Sequence, residues 1–302
     1  MITFVVVNQK KDFKRKYVMK KQLFIGCTAL LMWAGCGTVP ITGRRQLLLV
    51  SDQEVLTASL TQYRDYMSSA PRSGNYSHSA MVTRVGKKIA AATELYLRQN
   101  GLESEIGNFA WEFNLVNDSQ VNAFCMPGGK IVVYEGLMDL VSSDDELAVV
   151  VGHEVAHAVA KHSNERMSQQ MMAQYGAQIL SASVSNKSSA VQSIAGQVYG
   201  LGAQYGLMLP FSRKHETEAD YMGLILMSMA GYNPDVAINF WQKMSADSGS
   251  ATPEFMSTHP SDERRISNIQ KELPAIKKKY ARSSTPSSGG TPKAVREWHF
   301  GN

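Results

Sequence analysis

Val151-Gly152-His153-Glu154-Val155-Ala156-His157 is the stretch on which the reading of this chain turns. On an α-helix, residues four apart differ by about 400°, about 40° beyond a full turn, so His153 and His157 point the same way. Two imidazoles one turn apart suit a single Zn²⁺, which favours tetrahedral sites with nitrogen and oxygen ligands. Glu154 lies about 100° round from His153, beside the pair, where it can reach a water without occupying a coordination position. Shuffling this composition gives His-Glu-x-x-His on the order of once per hundred sequences, so the flanking text has to decide. Ser143 and Glu146 read as a capping box for a helix running through Leu147 to about His162. Ala156, Val159 and Ala160 let that helix pack closely.

A catalytic zinc site needs a third ligand. Ser212 to Asp220 (SRKHETEAD) is again helical text. Glu216 and Asp220 share a face one turn apart, so Glu216 is assigned to the metal and Asp220 to a hydrogen bond that orients a ligand histidine. Glu218 lies about 200° from Glu216 and is read as a surface or rim charge. His162 reads as a helix-end or outer group behind His157, and His215 as pointing elsewhere on its helix.

Around these helices the text is mostly helical, with a small sheet. Ser51-Asp52-Gln53-Glu54 opens a helical stretch to about Asn100, which Pro71 to Ser77 breaks in two. Phe109 to Val116 alternates like a strand, and Val121 to Met126 and Lys130 to Tyr134 flank Pro127-Gly128-Gly129 as a hairpin. Further helices are expected from Ser212 to Met229, from Asn233-Pro234, and from Ser261 to near Tyr280. Residues 164–205, rich in Met, Gln, Ala and Gly, read as a helical insert, and residues 283–302 as a disordered tail. The sum is one α+β domain over 51–282.

The 302 residues carry 31 Lys and Arg against 26 Asp and Glu, but the excess is local. Residues 1–35 hold seven of those cations and Asp12 alone, which leaves 24 basic and 25 acidic residues elsewhere. No nucleic-acid partner is expected of so balanced a folded part, and three cysteines build no disulfide framework. Cys125 reads as a small buried hydrophobe. From Met19, taken as the true start, two lysines precede the apolar run Leu23 to Ala34 and then Gly35-Cys36. This is the pattern of a secretory signal, too short for a comfortable membrane span. The ending resembles a bacterial lipobox that leaves Cys36 lipidated at the head of a tether over 36–50, with plain secretion or an uncleaved anchor as alternatives. The expected location is exported and periplasmic, lipid-anchored to the outer membrane.

Taken together, four features resemble peptidase family M48 over roughly residues 40–280. They are His153-Glu154-x-x-His157, Glu216-x-x-x-Asp220, Asn122-Ala123-Phe124 ahead of Pro127-Gly128-Gly129, and Thr258-His259-Pro260 with Arg265. The VPITGRRQLLLVS opening is similar to the family's soluble periplasmic branch. The resemblance implies a gluzincin-like endopeptidase with one Zn²⁺ on His153, His157 and Glu216, and Glu154 as general base. It implies that Asn122, Ala123 and Phe124 belong to an edge strand along which an extended polypeptide adds as one more strand. His259 is implied either to stabilise the oxyanion or to rest on zinc as a fourth ligand. Arg265 is implied to steady that loop or to contact the oxyanion region. Substrates would be unfolded or misassembled envelope proteins, in quality control, with outer-membrane assembly proteins as further partners. The alternative is a chaperone-like or binding module whose zinc is idle or structural.

Overall fold

The computed structural model describes residues 36–172, 212–246, 254–259 and 263–280. The expected signal segment 1–35, residues 173–205 of the expected insert, and the expected tail 283–302 lie outside them. The chain opens with β1 (Cys36–Thr38) and β2 (Arg45–Leu47), then α1 (Asp52–Ser69), α2 (Tyr76–Gln99) and a short α3 (Glu103–Ile106). Strands β3 (Glu112–Val116), β4 (Ala123–Met126) and β5 (Lys130–Tyr134) follow. After them come α4 (Glu135–Met138), α5 (Asp144–Val159), α6 (Arg213–Met229), α7 (Val236–Ala246), α8 (Glu254–Thr258) and α9 (Glu263–Tyr280). Residues 162–172 are also helical. This is the α+β class expected: mostly helix with a small sheet. Among the described residues no helix is long and apolar enough to cross a membrane.

The capping box at Ser51 is complete: Ser51 Oγ accepts from the Glu54 amide at 3.3 Å, and Glu54 accepts from the Ser51 amide at 3.1 Å. The sheet has the order β3-β5-β4. β4 and β5 pair antiparallel, Ala123 opposite Val133 and Met126 opposite Lys130. The connecting turn holds Gly128 and Gly129 at φ of 93° and 77°, where a side chain is disfavoured. β3 runs parallel to β5, a pairing absent from the sequence reading. β5 is thus central and buried, and β4 is left as an edge whose outer side pairs with no other strand among the described residues.

Valine-rich α5 is a weak helix former on its own. It is held by its ends and by packing. Ser143 Oγ accepts from the Glu146 amide at 3.2 Å, and Asp144, Asp145 and Glu146 sit in the first turn, where the helix dipole favours anions. The box is displaced by one residue, because the Glu146 carboxylate accepts from the Ser142 amide at 2.8 Å. Leu147, Val150, Val151 and Val155 are buried against α2, α6, α7 and β4, each contributing about 1.5–3 kcal/mol.

Two expectations are corrected. α5 ends at Val159 rather than near His162, and Lys161 at φ 58° turns the chain into the 162–172 helical segment. Residues 36–50 are no free tether. Cys36 pairs across the hairpin with Leu47, and Val39 and Ile41 join the main core.

Candidate metal centre

His153 and His157 come from α5, Glu216 from the first turn of α6, and His259 from just after α8. One donor atom from each lies within 4.8 Å of the others, and all four residues are buried. The Nε2 atoms of His153 and His157 are 3.0 Å apart. Glu216 sets Oε2 3.3 Å from His153 Nε2 and Oε1 3.4 Å from His157 Nε2. His259 Nδ1 stands 3.1 Å from Glu216 Oε1 and 3.3 Å from His153 Nε2.

Such a cluster fits a cation. Glu216 Oε2 is buried without a hydrogen-bond partner, and the two α5 imidazoles turn ring nitrogens toward one another. A set of two or three imidazoles and one carboxylate is the donor chemistry of Zn²⁺. The electrostatics agree. Burial opposes ionisation of Glu216, yet His259, His153 and His157 hold its carboxyl well below the usual range. Burial, helped by the neighbouring His153 and His162 and opposed by Glu216, drives the His157 imidazolium well down. For His153 burial acts the same way, but the Asp220 hydrogen bond and the adjacent Glu216 carboxylate outweigh it and hold the group at about 9.

Behind His153, Nδ1 meets Asp220 Oδ1 at 2.9 Å. Arg265 donates to both oxygens of Asp220, from Nε at 2.8 Å and Nη2 at 2.7 Å. Its guanidinium lies 3.6 Å from the Trp241 ring centroid; Trp241 stacks on Phe255, and Phe255 on His259. Buried Arg265 therefore touches the His153 support directly and the His259 loop through two rings. Glu154 lies beside the ligands; its Oε1 is 3.5 Å from His259 Nε2 and is buried without a hydrogen-bond partner, while the carboxylate also takes a backbone hydrogen bond from Cys125. Burial raises its carboxyl pKa.

Glu154, His157 and His259 line a cleft of about 430 Å³ that runs along β4, walled by Tyr66, Phe124 and Met126. Ala123 and Phe124 lie in β4. Asn122 stands just ahead of it, its carbonyl accepting from the Tyr134 amide at 3.1 Å. Cys125 also faces the cleft, and burial pushes its thiol well up.

Glu218 was misread. It is no rim charge but fully buried, accepting from Thr42 Oγ1 and, at 2.6 Å, from Arg44 Nε, with His162 Nε2 at 3.0 Å. Arg44 also donates to both oxygens of Glu165, at 2.8 and 2.6 Å, and Glu165 meets His215 Nε2 at 3.1 Å. His215 thus faces this cluster, stacked on His162 with ring centroids 4.4 Å apart. The signal available in the sequence was the surplus of His162, His215, Glu165 and Glu218 near the motif, with Arg44 in the opening segment. Burial opposes ionisation of Glu165, but His215 and Arg44 outweigh it and hold the group down to about 2. With an unfolded value of about 4.3, its stabilisation is complete above that pH and lost as pH falls toward about 2. In zinc-free protein, Glu165→Gln is expected to flatten the fall in unfolding free energy across that window, read by denaturant titration at stepped pH.

A model of "Peptidase family M48" matches residues 79–273. A Schizosaccharomyces pombe protein, "Mitochondrial metalloendopeptidase OMA1", is 35% identical over 78% of this chain and 66% of its own length. Its Saccharomyces cerevisiae namesake is 30% identical over 95% of this chain and 85% of its own. A Yersinia pestis "Beta-barrel assembly-enhancing protease" is 31% identical over 55% of this chain and 35% of its own. These similarities overturn the exported, lipid-anchored periplasmic placement, since the yeast relatives are named mitochondrial. The physical reason for the misreading is that a basic, acid-poor amino-terminal stretch is shared by secretory signals and mitochondrial transit segments. With the zinc-type cluster on His153, His157 and Glu216 lying inside the matched span, and the likeness to the Saccharomyces relative over 95% of this chain, the chain belongs to peptidase family M48, whose members are zinc metallopeptidases.

Proposed function

We propose that this chain is a zinc endopeptidase that takes unfolded or misassembled polypeptides in extended form along β4, and that it rests with His259 at the metal position. The observation that carries the reading is the convergence of His153, His157 and Glu216 beside buried Glu154, at the base of the cleft bordered by β4. A zinc ion held there supplies Lewis acidity, polarising a carbonyl and lowering the pKa of water. Asp220, gripped by Arg265, fixes the ring of His153. Glu154 takes the proton of the attacking water and passes it to the leaving amine. The open edge of β4 bonds the substrate through its backbone, so side-chain selectivity is loose, which suits the clearing of unfolded chains. The peptidase unit on this reading runs from the hairpin at residue 36 to Tyr280. The relatives named metalloendopeptidases support cutting within a chain.

The position of His259 favours one rival. A histidine that never leaves the cluster closes a four-ligand site of the kind structural zinc adopts. The chain would then be a chaperone-like or binding module; the Yersinia relative is named for enhancing β-barrel assembly. Cleavage of unfolded casein by the zinc-loaded chain and its His259→Ala variant separates these readings. The expected result is cutting about tenfold faster by the variant, because the competent state is a minor population while His259 is in place. A variant about 10²-fold slower with zinc retained would make His259 an oxyanion donor. If neither form cuts, the binding module is favoured.

A further inference from the structure

The two α5 histidines are supported differently. His153 passes its Nδ1 straight to the carboxylate of Asp220 at 2.9 Å. On the same side of His157 stands another imidazole: its Nδ1 lies 2.9 Å from His162 Nδ1. His162 in turn sets Nε2 3.0 Å from Glu218 Oε2. His162 and Glu218 are fully buried.

Counting protons gives this line a direction. His157 Nε2 faces the cluster and needs its lone pair free for a cation, so the ring proton of His157 sits on Nδ1. That N–H then donates to His162 Nδ1, which has to be the acceptor. The proton of His162 is left on Nε2, where Glu218 accepts it. Only this tautomer of His162 lets all three groups be satisfied at once. Glu218 is in turn locked by Arg44 Nε and Thr42 Oγ1, both from the opening hairpin segment.

The backbone is shaped for the contact. A continuous α5 would carry residue 162 about 140° round the axis from His157. The left-handed Lys161 instead ends the helix and swings His162 back onto the ligand. Burying two imidazoles, two carboxylates and a guanidinium is costly, and an apolar cluster of similar shape would hold the fold at least as well. What the polar line adds is a fixed ring orientation at His157.

We propose that His162 is a positioning residue for the metal ligand His157, with Glu218 fixing its tautomer and Thr42 and Arg44 tying the amino-terminal hairpin to the centre. The inference rests on the zinc reading above. α6 then supplies three acids with three tasks at alternate positions: Glu216 to the metal, Glu218 to His157 through His162, and Asp220 to His153.

The test is zinc affinity of the full chain, measured by chelator competition in the Glu154→Gln background so that hydrolysis plays no part. His162→Phe fills the space without a relay, whereas the carbonyl and amide of His162→Gln can accept from His157 and donate to Glu218. The expected result is zinc binding weakened about 10–100-fold by phenylalanine and within about threefold of the parent for glutamine, with similar melting of both zinc-free variants. Equal affinity of the phenylalanine variant and its parent would overturn the proposal and leave the zinc reading standing. No zinc binding by the parent would overturn both. Should the phenylalanine variant fail to fold, long-range imidazole ¹H–¹⁵N spectra of the zinc-loaded parent decide. His157 is expected to carry its proton on Nδ1 and His162 on Nε2, and a proton on His162 Nδ1 would overturn the proposal.

Discussion

Glu154→Gln is expected to lower kcat/KM for an unfolded or peptide substrate by about 10³-fold, within the range that loss of a positioned general base produces. Zinc affinity should stay within a few-fold of the parent. The two expectations come from one geometric fact. Glu154 follows His153 directly on α5, so it is turned away from the donor set of His153, His157 and Glu216 while remaining beside it. Its Oε1 is buried without a hydrogen-bond partner at the base of the cleft, placed to receive a proton. Burial raises the carboxyl pKa, which brings it nearer the value a proton shuttle needs at neutral pH. Glutamine keeps the shape of the side chain and removes only its ability to take up a proton. Paired measurements of hydrolysis and bound zinc check this, and a variant keeping more than about a tenth of the activity would remove Glu154 from the proposed role.

How much of this could be read from residue types depends on what periodicity encodes. Spacing on a helix gives the direction of one side chain relative to another on the same helix. That is why His153 with His157, and Glu216 with Asp220, were legible as pairs. It does not say what lies opposite. Glu218 was taken for a rim charge because it points away from Glu216; in the fold that face is covered by Thr42, Arg44 and His162. The hairpin of 36–47 escaped notice because its strands are three residues each, too short to show alternation. The β4–β5 hairpin was readable from Pro127-Gly128-Gly129, since a tight turn is a local event. The parallel β3–β5 pairing was not, because nothing local specifies it. Lys161 at positive φ is a single-residue choice that no periodic pattern announces.

The other large effect lies where the two ligand helices cross. Gly223→Ala is expected to destabilise the fold by about 3 kcal/mol and to weaken zinc binding more than tenfold, against the usual sign of such a change. Alanine is the better helix former by about 1 kcal/mol, so at an uncrowded site within α6 it would raise stability. Here a Cβ would stand 2.8 Å from the His153 amide nitrogen, 2.9 Å from Gly152 C and 3.1 Å from Gly152 O. All three are backbone atoms, and none can rotate aside as a side-chain tip does. Nor can Gly152 give way, since a Cβ added there would already be 3.0 Å from Gly223 O. The helices must therefore separate by several tenths of an ångström. Metal–ligand distances tolerate about 0.2 Å. The separation acts between α5, which carries His153 and His157, and α6, which carries Glu216 and Asp220, so the donor set and its support move apart together. Melting followed in chelator should fall by about 5–10 °C, and by more in the presence of zinc, because the stabilisation gained from binding the metal shrinks as affinity does. A rise in melting temperature on substitution would mean that helix propensity outweighs the crossing contact, and that the metal geometry does not depend on the glycine pair.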